Sequence, residues 1–272
     1  MAAPLAVIAG SGQFPFHVAR GAKRQGRSVI ALGIQGWVDP ALRQEVERFE
    51  PVDAGQLGRL IERLKSHGVQ QAVMAGKVTK QVLLDRRTAF DQETQRLLQE
   101  VGDFSVAALL GAIGKRLAAE GITLLDSSTF VADELCPEGV LTPRKPGPVE
   151  AADIALGLRA ARALAAFDVG QTVIVKGKVV VAVEALEGTD AAIRRAHALV
   201  GSGLVVVKTA SPDHDRRFDL PVVGMDTVTT LRETQASCLA LEAGAALILE
   251  RPAFLAAAAA ADLCVVGARL PV

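Results

Sequence analysis

Acidic and basic side chains concentrate between Lys176 and Asp226. The stretch opens KGKVVVAVEALEGTD and closes VVVKTASPDHDRRFDLPVVGMDTV, so apolar runs typical of buried strands end in charge and glycine. Open α/β sheets usually hold their ligands at such strand ends. Carboxylates can hold a divalent cation or activate water, while lysine and arginine neutralise phosphate. The stretch therefore predicts a site for phosphate and a divalent cation.

The segment EALEGTD carries three carboxylates, from Glu184, Glu187 and Asp190. Gly188 breaks the preceding strand, and Thr189 or Asp190 can cap the following helix. A capping turn does not need three carboxylates. Magnesium prefers one or two carboxylates together with substrate phosphates, so the additional acids fit a magnesium site.

The segment from Lys208 to Asp226 mixes both charges, and a solvated loop is the alternative interpretation. We prefer that alternative for Asp213 or Arg216 taken alone. Asp226 follows the apolar VVG at a strand end and precedes a helix, so we favour a functional role for it.

Two glycine-containing turns in the first half suit an anion. Gly10-Ser11-Gly12 lies between a strand and a helix, where free N–H groups can bind phosphate. The turn differs from a dinucleotide fingerprint because Pro15 replaces the third glycine and no acid closes the second strand, which excludes NAD. Gly76-Lys77 follows another strand; it is not a P-loop, but its lysine can meet a phosphate, with a surface lysine as the alternative.

Composition excludes several other classes. The 30 basic side chains balance the 30 acidic ones, so no general nucleic-acid or membrane-surface field is expected. Three widely spaced cysteines favour buried, reduced thiols in a cytoplasmic protein. No HxH, HExxH or paired-cysteine spacing predicts zinc, and no apolar run reaches the roughly 20 residues of a membrane span.

Alternating strand and helix patterns must position these groups. They predict two α/β domains: a doubly wound parallel sheet in residues 1–142, which carries the two glycine turns, and a mixed sheet in residues 149–272, which carries the carboxylates. A ligand cleft is expected between them. The boundary falls in CPEGVLTPRKPGP, where proline and glycine exclude helix and central strand. In the second half we expect a hairpin around KGK and a helix from Thr227 to Ala243.

The whole chain resembles the LpxI type of UDP-2,3-diacylglucosamine pyrophosphatase. The resemblance rests on IAGSGQFP, AGKV, VKGKVVVAVEALEGTD and DHDRRFDLPVVGMDTV. It implies magnesium-dependent hydrolysis of UDP-2,3-diacylglucosamine to 2,3-diacylglucosamine 1-phosphate (lipid X) and UMP, a step of lipid A synthesis in Gram-negative bacteria. The resemblance places the nucleotide on the first domain and the catalytic site, the metal and the lipid on the second. Composition adds a cytoplasmic location and no nucleic-acid partner, while a homodimer and transient contact with the inner membrane are left open.

We accordingly assign three sets of site residues as hypotheses. The catalytic set is Asp226, Asp215 and Lys208. The metal set is Asp226, Asp190 and Glu187. The substrate-binding set is Ser11, Gly12, Gly76, Lys77, Lys176, Gly188, Thr189 and Arg217.

Two rival functions share this site. One is a non-catalytic protein that binds nucleotide-sugars or anionic lipids. The other is an α/β glycosyl or nucleotidyl transferase using the same carboxylates and cation. Release of UMP in water, without a second acceptor, distinguishes hydrolysis from both.

Overall fold

A computed structural model describes residues 3–78, 88–102, 106–165, 167, 169–211, 215–218 and 220–269. The chain divides into two compact units. The first comprises Met1–Ala132 and the short segment Asp215–Asp219, and the second comprises Asp133–His214 and Leu220–Val272. The proline- and glycine-rich segment 136–148 lies within the second unit, while five residues of the second half belong to the first.

The first unit is built on a five-stranded parallel sheet. Its strands are β1 (Leu5–Ala9), β2 (Val29–Ile34), β3 (Arg48–Val52), β4 (Gln71–Ala75) and β5 (Thr123–Leu124). The spatial order β3-β2-β1-β4-β5 is that of a doubly wound fold. Strands β1 and β2 are buried along their whole length, as expected for central strands covered on both faces.

Helices cover this sheet. They are α1 (Phe14–Arg24), α2 (Leu57–Ser66), α3 (Gln92–Val101) and α4 (Val106–Ala119). Helix α2 is amphipathic, and its Leu57, Leu60, Ile61 and Leu64 join the same core cluster as Leu97 of α3 and Leu117 of α4. Helix α1 is not part of that cluster but contacts β1, β2 and β4. A 3-10 helix, Pro40–Glu45, precedes β3.

The second unit is built on a six-stranded mixed sheet of order β6-β13-β11-β9-β7-β8. Its strands are β6 (Gly139–Val140), β7 (Thr172–Lys176), β8 (Val179–Val183), β9 (Val205–Lys208), β11 (Cys238–Glu242) and β13 (Cys264–Ala268). The expected hairpin around KGK is the antiparallel pair β7–β8. Strands β9, β11 and β13 are parallel to one another, while β7 runs antiparallel to β9. A separate parallel pair joins β10 (Val222–Val223) and β12 (Leu247–Ile248).

Because side chains alternate along each strand, this sheet contributes to two hydrophobic cores, one on each face. Its helices are α5 (Pro148–Ala165), α6 (Thr189–Val200), α7 (Met225–Glu233) and α8 (Arg251–Ala260). Val206 and Leu239 pack with side chains of α6, α7 and α8, whereas Val205 and Val207 pack with α5. Lys208 is two residues beyond Val206, so its side chain leaves the strand on the α6–α7 face.

The predicted helix from Thr227 to Ala243 is wrong. The helix ends at Glu233, Gln235 takes a left-handed conformation (φ 49°), and strand β11 follows. Buried leucines in CLALE suit a strand covered on both faces, and that packing outweighs helical propensity.

The fold class is confirmed as two α/β domains, one with a parallel sheet and one with a mixed sheet. All three cysteines are free and buried, as expected. Among the described residues, no helix combines the length and the apolar character needed to cross a bilayer.

Candidate active site

Two helices of the second unit begin in the same way, with a glycine cap and an acid in the second position. Gly188 precedes α6, whose second residue is Asp190, and Gly224 precedes α7, whose second residue is Asp226. Neither glycine can supply a capping side chain, so first-turn N–H groups stay available to a ligand. Free N–H groups and the helix dipole favour an anion such as phosphate.

The carboxyl groups of Asp190 and Asp226 lie close enough to influence each other. Burial raises the pKa of Asp190, and the charge of Asp226 adds to this, while Arg194 and Lys208 act in the opposite direction. Asp190 Oδ1 is buried without a hydrogen-bond partner among the described residues. Asp226 is exposed. A buried oxygen without a donor, next to a second carboxylate, is an environment that a cation would stabilise.

Lys208 lies at the end of β9, and only 5 % of its surface is exposed. Its Nζ donates to Thr189 Oγ1 at 2.9 Å and to Thr172 Oγ1 at 3.2 Å. Glu184 Oε2 is 3.6 Å from the same nitrogen. A buried ammonium group needs such polar partners to offset its lost hydration, and here they also fix its position.

The donor set fits magnesium better than a metal held entirely by protein. Among the described residues, no group of three histidine, cysteine, aspartate or glutamate side chains is arranged to hold a metal ion. Asp190 and Asp226 supply two carboxylates, one of them with the unpartnered oxygen. Magnesium usually takes one or two carboxylates and completes its shell with water and substrate phosphates.

Glu187 and Lys176, both predicted for this site, are engaged elsewhere. Glu187 accepts a hydrogen bond from Arg195 at 2.6 Å and one from its own turn, at Ala185 N. Lys176 donates to Val200 O at the far end of α6. Because β7 is antiparallel to β9, Thr172 pairs with Lys208 and Lys176 lies at the opposite end of the strand, roughly 13 Å away at strand spacing. Among the described residues, neither side chain makes a hydrogen bond or an ion pair with Lys208.

The two glycine turns of the first unit lie side by side, as their positions after β1 and β4 predict. Ser11 N and Oγ both donate to Lys77 O at 2.9 Å, and Lys77 N donates to Ser11 O at 3.1 Å. A Cβ on Gly76 would lie 2.6 Å from Ser11 O, and its φ is +89°. Only glycine allows this approach. Gly12 also has a positive φ, and the following α1 has no side-chain cap at Gln13.

Asp215 and Arg217 lie in the first unit and pair with each other. Arg217 Nε donates to Asp215 Oδ1 at 2.8 Å, and Arg217 Nη2 contacts Asp215 Oδ2. This pairing raises the pKa of the Arg217 guanidinium. Their roles as catalytic and substrate-binding residues stay predictions. Asp213 and Asp219 lie outside the described residues.

Thr172, Arg194 and Thr230 contribute to the site without having been predicted. Thr172 and Lys208 are 36 residues apart, and only the antiparallel pairing of β7 with β9 joins them. Arg194 donates to Thr230 Oγ1 at 3.0 Å, which links α6 to α7 one turn below the two acids. In the sequence, the signal that could have identified Arg194 and Thr230 is their i, i+4 spacing from Asp190 and Asp226, which places each pair on one face of a helix.

Fold and site together define a two-domain α/β protein whose second domain gathers two carboxylates and a buried lysine at the strand and helix ends of a mixed sheet. The chain matches the LpxI N-terminal domain over residues 4–134 and the LpxI C-terminal domain over residues 137–266. It therefore belongs to the LpxI family.

One relative is similar along almost the whole chain. It is the UDP-2,3-diacylglucosamine pyrophosphatase LpxI of Caulobacter vibrioides, which is 29% identical over 277 residues, covering 97% of this chain and 96% of that protein. Among solved structures, the biotin carboxylase subunit of pyruvate carboxylase matches at 11% identity, covering 64% of this chain and 35% of that one. Its TM-score of 0.27 is too low to carry an argument.

Proposed function

We propose that this chain hydrolyses the diphosphate of UDP-2,3-diacylglucosamine to 2,3-diacylglucosamine 1-phosphate and UMP in lipid A synthesis. The observation that carries the proposal is the convergence of Asp190, Asp226 and Lys208 at the starts of two helices and the end of β9. The Caulobacter relative, named for this activity, supports it across both domains. The proposal places the enzyme in the cytoplasm, in transient contact with the inner membrane that holds its acylated substrate.

Lys208 and the two helix starts would bind the diphosphate. Each offers a positive charge or partial charge that is fixed before the substrate arrives, so little reorganisation is needed as negative charge develops. In the first unit, the turns at Ser11–Gly12 and Gly76–Lys77 would bind the nucleotide through backbone N–H groups and one lysine.

Asp190 and Asp226 would hold magnesium, with diphosphate oxygens and water as the other ligands. When bound, magnesium would withdraw charge from the diphosphate and lower the barrier to attack. A water oxygen bonds to one phosphorus as the bridging P–O bond breaks, and the water's proton must pass to a base. Asp226 is exposed, so accepting this proton is its alternative to holding the cation, which Asp190 would then hold.

The test is hydrolysis of UDP-2,3-diacylglucosamine in water with magnesium, followed by the release of UMP. The wild-type protein should release UMP, and EDTA should abolish the release. Asp226→Ala should lower kcat by about 10²–10⁴-fold, the usual contribution of a positioned proton acceptor.

Glu233→Ala is the matched control, because Glu233 is an exposed acid on the same helix that pairs only with Arg194 among the described residues. It should stay within about threefold of wild type. Absence of UMP from the wild-type reaction would refute the proposed function. Activity of Asp226→Ala within a few-fold of wild type would remove Asp226 from the chemistry.

A further inference from the structure

Two side chains that contact Lys208 are almost completely buried. Thr172 is 1% exposed and Glu184 is 8% exposed. Thr172 opens β7 directly opposite Lys208, and Glu184 follows β8, where its backbone N–H donates to Thr172 O at 2.9 Å. The hairpin β7–β8 thus carries both side chains to the end of β9.

The hydrogen bonds that Lys208 makes have a fixed direction, whereas in the contact between the hydroxyls of Thr172 and Thr189, 3.3 Å apart, either oxygen can donate. An ammonium group only donates, so Thr189 Oγ1 accepts from Lys208 at 2.9 Å. The single hydroxyl proton of Thr189 is then available to Glu184 Oε1, which lies 3.0 Å away. Thr172 Oγ1 accepts the second bond from Lys208 at 3.2 Å. Two of the three ammonium protons are therefore committed, and their acceptors determine where the third one points.

Glu184 also compensates the positive charge of Lys208. A lysine that is 5% exposed lacks most of its hydration, and Glu184 Oε2 lies 3.6 Å from its nitrogen, beyond hydrogen-bond distance but close enough to offset the charge. Glu184 thus supports Lys208 without occupying its third donor position.

We propose that Thr172 and Glu184 are positioning residues that hold the Lys208 ammonium group with one proton directed toward the diphosphate. This inference rests on the proposed function. Both residues act through Lys208 and need not touch the substrate. Loss of either should weaken the stabilisation of charge that develops during the reaction, because a misdirected donor is worth much less than an aligned one.

Kinetics with matched threonine variants test the role of Thr172. Thr172→Val keeps the shape and removes the acceptor; we expect kcat to fall about 10–100-fold with KM changed less than about threefold. Thr172→Ser keeps the acceptor and should restore kcat to within about threefold of wild type. Thr234→Val is the control: Thr234 is also buried (3%), and its hydroxyl donates to the backbone oxygens of Thr230 and Leu231 in α7. Its kcat should match wild type.

The proposal is overturned if Thr172→Val retains wild-type kcat, if it is no worse than Thr234→Val, or if Thr172→Ser fails to restore activity. The second outcome would mean that the loss of any buried threonine hydroxyl in this unit has the same effect, and the third would mean that the methyl group of Thr172 matters and not its hydroxyl.

Melting temperatures test Glu184 without any activity assay. In the wild-type background, Glu184→Gln removes the carboxylate that lies 3.6 Å from a buried ammonium group and should lower the melting temperature. In a Lys208→Met background the ammonium group is absent, so the same substitution should lower the melting temperature much less. An equal loss in both backgrounds would overturn the pairing. If the wild-type protein released no UMP, the proposed function would fail, and these melting curves would still decide whether Glu184 serves Lys208.

Discussion

Asp190 shows how one buried carboxyl group can serve function at the expense of stability. Burial raises its pKa, and the neighbouring charge of Asp226 does so too, with Arg194 and Lys208 opposing both effects. In the absence of a cation, the ionised side chain therefore destabilises the folded state at neutral pH. A site that uses such a group to bind a cation gives up stability until the cation arrives.

Asp190→Asn should accordingly stabilise the metal-free protein at pH 7. A raised pKa in the folded state means that the stability contributed by Asp190 is fully present below its usual value of 3.8 and is lost as pH rises through the folded-state pKa. The stabilisation by asparagine should therefore shrink as pH falls and vanish near or below pH 3.8. Melting curves in EDTA measure it, with about 2–4 °C expected for each kcal/mol in a chain of this size.

Glu187→Gln is the control, because the pKa of Glu187 is shifted in the direction opposite to that of Asp190. The hydrogen bond from Arg195 lowers the pKa of Glu187, so its stability contribution is present at neutral pH and lost as pH falls. Its replacement should not raise the melting temperature at pH 7. A stabilising effect of equal size in both variants would show that the environment of Asp190 is not special.

At the scale of elements, the orientation of the hairpin β7–β8 determines the positions of Thr172 and Lys176. Its turn has two consecutive positive φ values, 59° at Gly177 and 64° at Lys178. Asp153 of α5 is 2% exposed, and its carboxylate accepts the backbone N–H groups of both residues, at 2.8 and 2.5 Å. One buried acid thus joins α5 to the turn that orients the hairpin.

Asp153→Ala should destabilise the second unit by about 2–4 kcal/mol, since two backbone donors lose a charged acceptor. Asp153→Asn, which keeps one acceptor oxygen, should cost about half as much. Chemical denaturation measures both losses, and Asp133→Ala, at an exposed position, should be close to neutral. A neutral Asp153→Ala would mean that the turn conformation is set by its own residues alone.

Local patterns predicted the parts of the site that follow from strand and helix ends. The apolar runs before Lys208 and Asp226, and the glycine before Thr189, are visible in the sequence, and the structure brings Asp190, Asp226 and Lys208 together. Such apolar runs do not show whether a strand runs parallel or antiparallel to its neighbour in the sheet. Lys176 was therefore predicted for the site although the antiparallel β7 carries it away, and Thr172 was missed although the same reversal places it beside Lys208.

At the scale of the whole molecule, a short segment of the second half completes the first unit. Arg216 Nε donates to Asp126 Oδ2 at 2.7 Å, and Ser127 N donates to Arg216 O at 2.8 Å, just beyond β5. The side chain of Phe218 packs against the core shared by α2, α3 and α4. These contacts join residues about 90 positions apart, which no local pattern could predict. The covalent order of the chain therefore does not coincide with its division into units.

This arrangement predicts that damage to the segment destabilises the first unit. Phe218→Ala should cost about 1–3 kcal/mol, less than a fully buried phenylalanine, because the side chain is only partly buried. Hydrogen exchange should accelerate in β4 and β5 and remain unchanged in β9 and β11, since only the first unit loses packing. Phe167→Ala is the control, at a side chain that is 81% exposed. Equal acceleration in both sheets would mean that the two units unfold as one, and unchanged exchange in β4 and β5 would mean that residues 3–132 hold their core without the segment.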